Sequence, residues 1–250
     1  MCARCGDTLG APQLASSPAG AALCRSCRLA PPPFVRAAAF GPYQDRMKAA
    51  IHALKYDRLH PAARGLGRML AEAIAQLAAD APSEMLVVPV PLHRSKYAQR
   101  GFNQARSLAV YALGFLRKSH PDWRLTLASS TLMRLRATES QAGLSFRQRR
   151  LNLNGAFTVS DKAAVNMKHI LVIDDIFTTG ATARAAAQAL VRAGAASVWV
   201  ATLARARTIN QFRRGSLISA VVDKTELSGK SPDVDFEPAS FYSSQDQPSF

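Results

Sequence analysis

The chain has 250 residues, of which 48% are hydrophobic, and a net charge of +15 at pH 7. This length suits one α/β domain with a small additional segment, and the apolar content indicates a largely globular chain. No apolar run reaches the roughly 20 residues that span a bilayer, and the N-terminus has no hydrophobic signal segment. We therefore expect no membrane insertion and a cytoplasmic location.

The first predicted unit is a small cysteine module at residues 1–33. It holds all four cysteines of the chain in two C-x2-C pairs, Cys2 with Cys5 and Cys24 with Cys27. Four thiolates at this spacing suffice for a tetrahedral zinc site, and a site with no open position is structural rather than catalytic. Disulfides are the alternative, but they need an oxidising compartment, which nothing in the sequence indicates.

The second predicted unit, residues 34–207, alternates between strand-like and helix-like segments. Strands are predicted at 35–40, 85–90, 124–127, 170–173 and 197–203, and helices at 47–56, 62–79, 103–117 and 181–193. Such alternation is typical of parallel βαβ units. The sequence thus predicts an α/β fold in which helices flank a parallel sheet.

The third predicted unit is a weakly ordered tail at residues 208–250. It is rich in Ser, Asp and Pro, and it holds one strand-like segment at 217–222. Few apolar residues are available there to offset the entropic cost of ordering the chain.

The most specific chemical pattern follows the apolar run 170–173. Two acids, Asp174 and Asp175, precede a Thr/Gly loop and an Ala-rich helix. Ligands of open α/β sheets bind at the carboxyl ends of strands, where these acids fall. Gly180 permits a tight loop, and the helix start directs N–H groups at the same point, so this element suits a phosphate while the carboxylates suit a diol. The alternative is an ordinary strand–turn–helix with a polar cap.

Basic residues concentrate between Leu92 and Arg150, with twelve Lys or Arg against two acids. The first part, with Arg94, Lys96 and Arg100, reads as a basic loop that forms a second anion cradle. The second part, residues 134–150, is polar and predicts a mobile lid. Such a field favours a polyanionic partner, namely pyrophosphate, a nucleotide or a nucleic acid, although a solvated surface is the alternative.

In combination these motifs resemble the ComF family of bacterial competence proteins over about residues 1–207. The resemblance rests on the paired C-x2-C motifs, K-Y at 55–56, V-P-V-P-L-H-R at 88–94, R-G-F-N-Q at 100–104, R-x-R-x-T-x-x-Q-x-x-L at 134–144, R-x-x-N at 149–152 before G-A-F, and D-D-I-F-T-T-G-A-T at 174–182. It implies a type I phosphoribosyltransferase fold with a hood or lid, phosphoribosyl pyrophosphate (PRPP) with Mg²⁺ as the ligand, and a role in DNA uptake. Phe177 stands where the commonest form of the PRPP signature has an aliphatic residue.

The resemblance also implies roles for individual residues. Asp174 and Asp175 would hold the ribose 2′- and 3′-hydroxyls, and Arg134 or Arg136 would arrive on the lid. The remaining ligand-binding residues fall into two sets, Thr178, Thr179, Gly180, Ala181 and Thr182 for the 5′-phosphate, and Arg94, Lys96 and Arg100 for pyrophosphate.

Three hypotheses about function stay open at this point. The first hypothesis is that the chain is a ComF-type protein that binds PRPP or a related phosphate. It would serve DNA uptake, by catalysis or sensing, together with uptake-machinery proteins. Alternatively, it is a metabolic phosphoribosyltransferase with a nucleobase or ammonia as acceptor. The third hypothesis is a non-catalytic adaptor that binds single-stranded DNA on the same fold.

Overall fold

The computed structural model describes residues 1–10, 22–56, 60–136, 153 and 155–206. The described helices are α1 (Arg25–Leu29), α2 (Asp45–Tyr56), α3 (His60–Ala75), α4 (Arg94–Arg100), α5 (Gln104–Ser119) and α6 (Ala181–Arg192). The described strands are β1 (Ala37–Pro42), β2 (Glu84–Pro89), β3 (Arg124–Leu127), β4 (Leu132–Arg134), β5 (Phe157–Val159), β6 (His169–Phe177) and β7 (Ser197–Arg205). The tail with its segment 217–222, and residues 137–150 of the predicted lid, lie outside the described residues.

Five strands form a parallel sheet in the order β1–β7–β6–β2–β3. Apolar side chains of β6 point alternately to the two faces of the sheet, so both faces are apolar and both are covered by helices. Ile170 and Val172 point into one apolar cluster with α6, whereas Leu171 and Ile173 point into a second cluster with α2, α3 and α5. The predicted α/β class, a parallel sheet flanked by helices, is confirmed.

The cysteine segment packs on the same face of the sheet as α6. All four cysteines belong to the apolar cluster that contains Val172 of β6, and the Ala37 N–H of edge strand β1 donates to the Arg4 carbonyl. The module therefore shares its core with the α/β unit. The predicted domain boundary at residue 33 stays a prediction.

Two local predictions were wrong at the sheet's ligand-binding end. Residues 94–100 form the short helix α4 and not a loop, because His93 Nδ1 accepts the Ser95 N–H at its start and Gly101 ends it with φ +78°. The strand predicted to end at Ile173 continues to Phe177, so both acids lie within its last residues. In addition, β4 and β5 form an antiparallel pair beside the sheet.

Edge strand β1 also extends further than predicted. The sequence suggested a turn at Gly41-Pro42, but Pro42 is the last residue of the strand. An edge position tolerates proline because its missing N–H faces away from the sheet. None of the described helices is long and apolar enough to cross a membrane.

Candidate functional site

The paired acids lie near the carboxyl end of β6, the middle strand of the sheet. Asp174 is half-buried and its Cα is paired with that of Thr202 on β7, while Asp175 is only 6% exposed. Because the strands on both sides are parallel to β6, their carboxyl ends meet at this point and form a depression that is typical of α/β binding sites.

Lys55 of α2 is the direct partner of Asp175. Its Nζ lies 2.5 Å from Asp175 Oδ2, and both side chains are largely buried. Burial alone would lower the pKa of Lys55, but the Asp175 and Asp174 carboxylates outweigh it, so the pKa is raised. The sequence analysis noted Lys55 within a motif and assigned it no role. Lys55 follows the apolar Ile51 by four residues, so both lie on the same face of the helix. This spacing was the available signal that the Lys55 side chain points toward the protein interior.

Asp174 has an unusual protonation equilibrium. Burial, and then the negative charge of Asp175, raise the pKa of Asp174 to about 8. The Asp175 N–H donates to Asp174 Oδ1 over 2.9 Å and acts in the opposite direction. Burial and a like charge thus disfavour the ionised form of Asp174.

Three predicted basic residues form a group of cations with Lys55. Burial lowers the pKa of Lys96, and the charges of Arg134, Arg100 and Lys55 lower it further, so these four cations lie close together. Burial also lowers the pKa of Arg134, whereas the Asp174 carboxylate raises it. Helices α2 and α4 and strand β4 therefore bring four cations to the edge of the two-carboxylate site.

The neighbouring contacts fix two of these cations. Arg100 Nη1 donates to Oε1 of the buried Gln104 over 3.2 Å. The Arg134 guanidinium carbon lies 5.5 Å from the centre of the Phe157 ring, and Phe157 is its partner across the β4–β5 pair. The sheet pair that the sequence analysis missed therefore positions Arg134.

Two other predicted basic residues lie apart from this group. Arg94 is exposed and begins α4 two residues before Lys96, which puts it on a different side of that helix. Arg136 is exposed after the end of β4. Their roles in ligand binding stay predictions.

The Thr/Gly loop connects β6 to α6. Gly180 caps α6 with φ +73°, and Thr179 Oγ1 accepts the Ala181 N–H over 3.3 Å. The first intrahelical bond runs from Arg184 N–H to the Gly180 carbonyl, so the Thr182 and Ala183 N–H groups have no partner within the helix.

A narrow cleft of about 10 Å³ lies between this loop, Asp174 and Thr202. It has room for about one water molecule. Thr202, which the sequence analysis passed over, lines the cleft, and its hydroxyl donates to the Ala204 carbonyl.

The four cysteines form the second site. Their Sγ atoms all lie within 4.8 Å of one another, all four are buried, and none is in a disulfide. Cys5 Sγ lies 3.7 Å from Cys24 Sγ. A tetrahedron with Zn–S bonds of about 2.3 Å has edges of about 3.8 Å. The cluster therefore has the composition and the spacing of a site that binds a metal such as zinc.

Comparisons with known proteins find curated bacterial proteins that are similar over most of the chain. It is 33% identical to the DNA utilization protein YhgH of Salmonella typhi over 207 residues, which cover 82% of the chain and 84% of that protein. It is 34% identical to YhgH of Escherichia coli K12 over 184 residues (73% and 77%), and 27% identical to Competence protein F of Haemophilus influenzae over 186 residues (73% and 78%).

The chain was also compared with protein-family models and with solved structures. No protein-family model matches the chain. The solved structure of the allosteric regulatory enzyme of purine biosynthesis is 21% identical and aligns with a TM-score of 0.33, covering 57% of the chain and 25% of that structure.

The fold and the site define an α/β protein with an acid pair and a Thr/Gly loop at the carboxyl end of its sheet, beside a four-cysteine cluster. The extent of the sequence similarity then identifies the family. This chain belongs to the ComF family of competence proteins.

Proposed function

We propose that the carboxylate site binds PRPP, or a closely related ribose phosphate, with Mg²⁺. The observation that carries this proposal is the buried acid pair with its cations: Lys55 is paired with Asp175, Arg134 interacts with Asp174, and Lys96 lies among the same cations. Carboxylates accept hydrogen bonds from a diol, and the surrounding cations attract a pyrophosphate. A ligand that carries both groups a few ångströms apart uses the whole site.

In this proposal the roles follow from position. Asp174 and Asp175 accept hydrogen bonds from the ribose hydroxyls, and Lys55 holds the Asp175 carboxylate in place through their ion pair. Lys96 and Arg100 of α4, with Arg134 of β4, bind the pyrophosphate. The second group of predicted residues, which would hold the 5′-phosphate, comprises Thr178, Thr179, Gly180, Ala181 and Thr182.

The carboxylate oxygens of the site suit Mg²⁺, which would bind together with the phosphorylated ligand. Mg²⁺ prefers one or two carboxylates together with phosphate oxygens and waters, and Asp174 is a carboxylate without a bound cation of its own. The ion would neutralise charge on the pyrophosphate when bound. The chain itself would orient the ribose and stabilise the departing charge, because displacement at the anomeric carbon passes through a cation-like sugar.

We further propose that the cysteine cluster holds one structural zinc and that the protein serves DNA uptake. Thiolates are preferred zinc ligands, and four of them leave no position for a catalytic water. The DNA role is supported by the names of the relatives, which are DNA utilization and competence proteins. Single-stranded DNA and uptake-machinery proteins are the proposed partners.

Calorimetric titration with PRPP and MgCl₂ tests the ligand assignment. We expect saturable binding that Asp174→Asn combined with Asp175→Asn abolishes while the protein stays folded. Equal affinity in that double variant would contradict the site. Pyrophosphate release assays with nucleobases and ammonia then separate a metabolic transferase from a protein that binds PRPP without transferring it.

A second candidate function, a non-catalytic DNA-binding adaptor, is favoured by the excess of basic residues between Leu92 and Arg150. Salt-dependent binding of a single-stranded oligonucleotide without PRPP turnover would support it. Turnover with a small acceptor and no oligonucleotide binding at low salt would exclude it.

A further inference from the structure

Arg205, the last residue of β7, joins the cysteine cluster to the rest of the chain. Its Nη1 donates to the Cys5 carbonyl over 2.5 Å, and its Nη2 lies 3.4 Å from Cys5 Sγ. Its Nε lies 3.5 Å from Asp7 Oδ1, and the side chain is 12% exposed. One guanidinium therefore contacts the backbone, the thiol and a nearby carboxylate of the first cysteine pair.

The other side of the same guanidinium rests on Phe177. The Arg205 guanidinium carbon lies 4.5 Å from the centre of the Phe177 ring, which is within the range of a cation–π contact. Phe177 is 6% exposed and packs edge-on against Phe34, with ring centres 6.1 Å apart. The ring is thus held between a cation on one side and an apolar residue on another.

Phe177 also forms the wall behind the Thr/Gly loop. A Cβ atom at Gly180 would lie 2.5 Å from Cζ of the Phe177 ring, so the loop backbone passes directly over the ring. Gly180 holds φ +73° at this point and begins α6. The position of the ring therefore sets the position of the backbone whose N–H groups face the cleft.

We propose that Arg205 and Phe177 are positioning residues that couple the cysteine metal site to the phosphate-binding loop. Contacts are continuous from Cys5 through Arg205 and Phe177 to Gly180. This inference rests on the proposed function for the identity of the two ligands. It also gives a reason for the aromatic residue at position 177, because an aliphatic side chain offers no π face to a guanidinium.

The physical cause of the coupling is the order that a metal imposes. A bound zinc fixes Cys5 and, with it, the carbonyl and sulfur that Arg205 contacts. Groups just outside a metal's ligands commonly change its affinity 10–100-fold when they are removed. When the metal leaves, Arg205 loses its fixed partners, the ring loses its cation, and the αL backbone at Gly180 loses its rigid wall.

A groove beside the cysteine segment provides a matched control for Arg205. A groove of about 590 Å³ runs between the cysteine segment and β1, and Cys2, Cys5, Phe177 and Arg205 line it. Arg36 lines the same groove but pairs with Asp80 on the surface. Arg36→Met is therefore a matched control for Arg205→Met.

The first experiment measures zinc release from the full chain to a chromogenic chelator. We expect about tenfold faster release from Arg205→Met than from the wild type, and an unchanged rate in Arg36→Met and Phe177→Leu. An unchanged rate in Arg205→Met would overturn the contact with the metal site.

The second experiment measures hydrogen exchange in peptides that cover residues 177–184, with zinc bound and after its removal. We expect removal to increase exchange there in the wild type, with no change in α5 on the opposite face. In Phe177→Leu, exchange in this segment should no longer depend on zinc. Equal exchange in the wild type with and without zinc would overturn the coupling.

A third measurement separates this inference from the proposed ligand. Binding of PRPP with MgCl₂ should weaken about tenfold in Arg205→Met, because the loop is displaced. If the zinc and exchange results hold while the wild type binds no PRPP, the coupling stands and the ligand assignment fails.

Discussion

The chain buries two clusters of ionisable side chains, and their compositions call for opposite ligands. The cysteine cluster contains four acidic thiols, and the cation Arg205 contacts one of them, Cys5. The carboxylate site contains two acids and four cations that act on one another. A set of like groups needs an added positive charge to be stable as thiolates, while a site with surplus cations attracts an anion. Thus the first cluster suits a metal and the second a phosphorylated ligand.

The protonation equilibria show the same difference. In the cysteine cluster, hydrogen bonds from the Cys27 and Cys5 thiols lower the pKa of Cys2, and the bond to Cys2 raises the pKa of Cys27. One thiolate is stabilised by its neighbours, but four are not. In the carboxylate site, Lys55 is already a counter-ion for Asp175. Asp175 therefore has a counter-ion within the chain, whereas we expect the cysteine cluster to depend on a bound metal.

The largest expected effect follows from that dependence. Cys27→Ser should abolish zinc binding and lower the free energy of unfolding by about 3 kcal/mol or more, because metal binding contributes directly to folding in such small modules. Denaturant titration together with metal analysis measures both quantities. Ser26→Ala, a change of the exposed neighbour, is the control and should alter neither. A fully stable Cys27→Ser protein would remove the contrast between the two clusters.

The second prediction concerns the counter-ion of the carboxylate site. Lys55→Met should destabilise the protein by about 3 kcal/mol, because it leaves the Asp175 carboxylate buried without its partner. Adding Asp175→Asn should restore much of the loss, since the amide carries no charge. Lys48→Met, on the exposed side of the same helix, should cost less than about 0.5 kcal/mol. Additive effects of Lys55→Met and Asp175→Asn would contradict the pairing.

The third prediction uses the pKa of Asp174, which burial and Asp175 raise to about 8. Between about pH 4 and 8 the folded protein holds this proton more tightly than the unfolded chain does, so the group's contribution to stability falls as pH rises through this range. Asp174→Asn should therefore reduce the decline of unfolding free energy between about pH 5 and 8 in the ligand-free protein. Asp122→Asn, at an exposed acid, should leave the decline unchanged. Equal declines in the wild type and Asp174→Asn would mean that Asp174 ionises normally.

Local motifs made much of this arrangement predictable from the sequence. The first C-x2-C pair spans a turn and the second lies at the start of α1, so each brings two thiols together locally, and the Asp174–Thr182 segment encodes a strand end, a loop and a helix start within nine residues. These patterns depend on neighbours along the chain. They were sufficient to predict the cysteine cluster and the location of the acids at the carboxyl end of a parallel sheet.

The contacts that complete both sites join residues far apart in sequence. Lys55 and Asp175 are separated by 120 residues, and Cys5 and Arg205 by 200. Neither pair has a local pattern, because each depends on how β6 and β7 are placed in the sheet. For the same reason, the position of Arg134 could not be predicted from local sequence. It depends on the pairing of β4 with β5, which lie on either side of the segment predicted to be a mobile lid.

The basic residues provide the remaining test, and the fold divides them between the two ends of the sheet. Arg124 begins β3 and is paired in register with Glu84 at the start of β2. Lys96 and Arg100 lie at the opposite, carboxyl end, beyond a strand of about 17 Å. Among the described residues of the basic block, the cations therefore do not all lie on one face, as a single DNA path along the block would require. Arg124 also lies 3.9 Å from the Glu84 carboxylate, which offsets its charge.

We consequently expect single-stranded DNA, if it binds, to follow the carboxyl end. Replacing Lys96 and Arg100 with Gln should weaken oligonucleotide binding and reduce the slope of log K against log salt by about 1.4, because each lost phosphate contact contributes about 0.7. Replacing Arg117, Lys118 and Arg124 with Gln removes more charge but should change the affinity less than about twofold and leave the slope unchanged. Equal slope changes in both variants would mean that DNA contacts both ends of the sheet. Absence of binding to the wild type at low salt would end the DNA proposal and leave the carboxyl-end cations to the phosphorylated ligand.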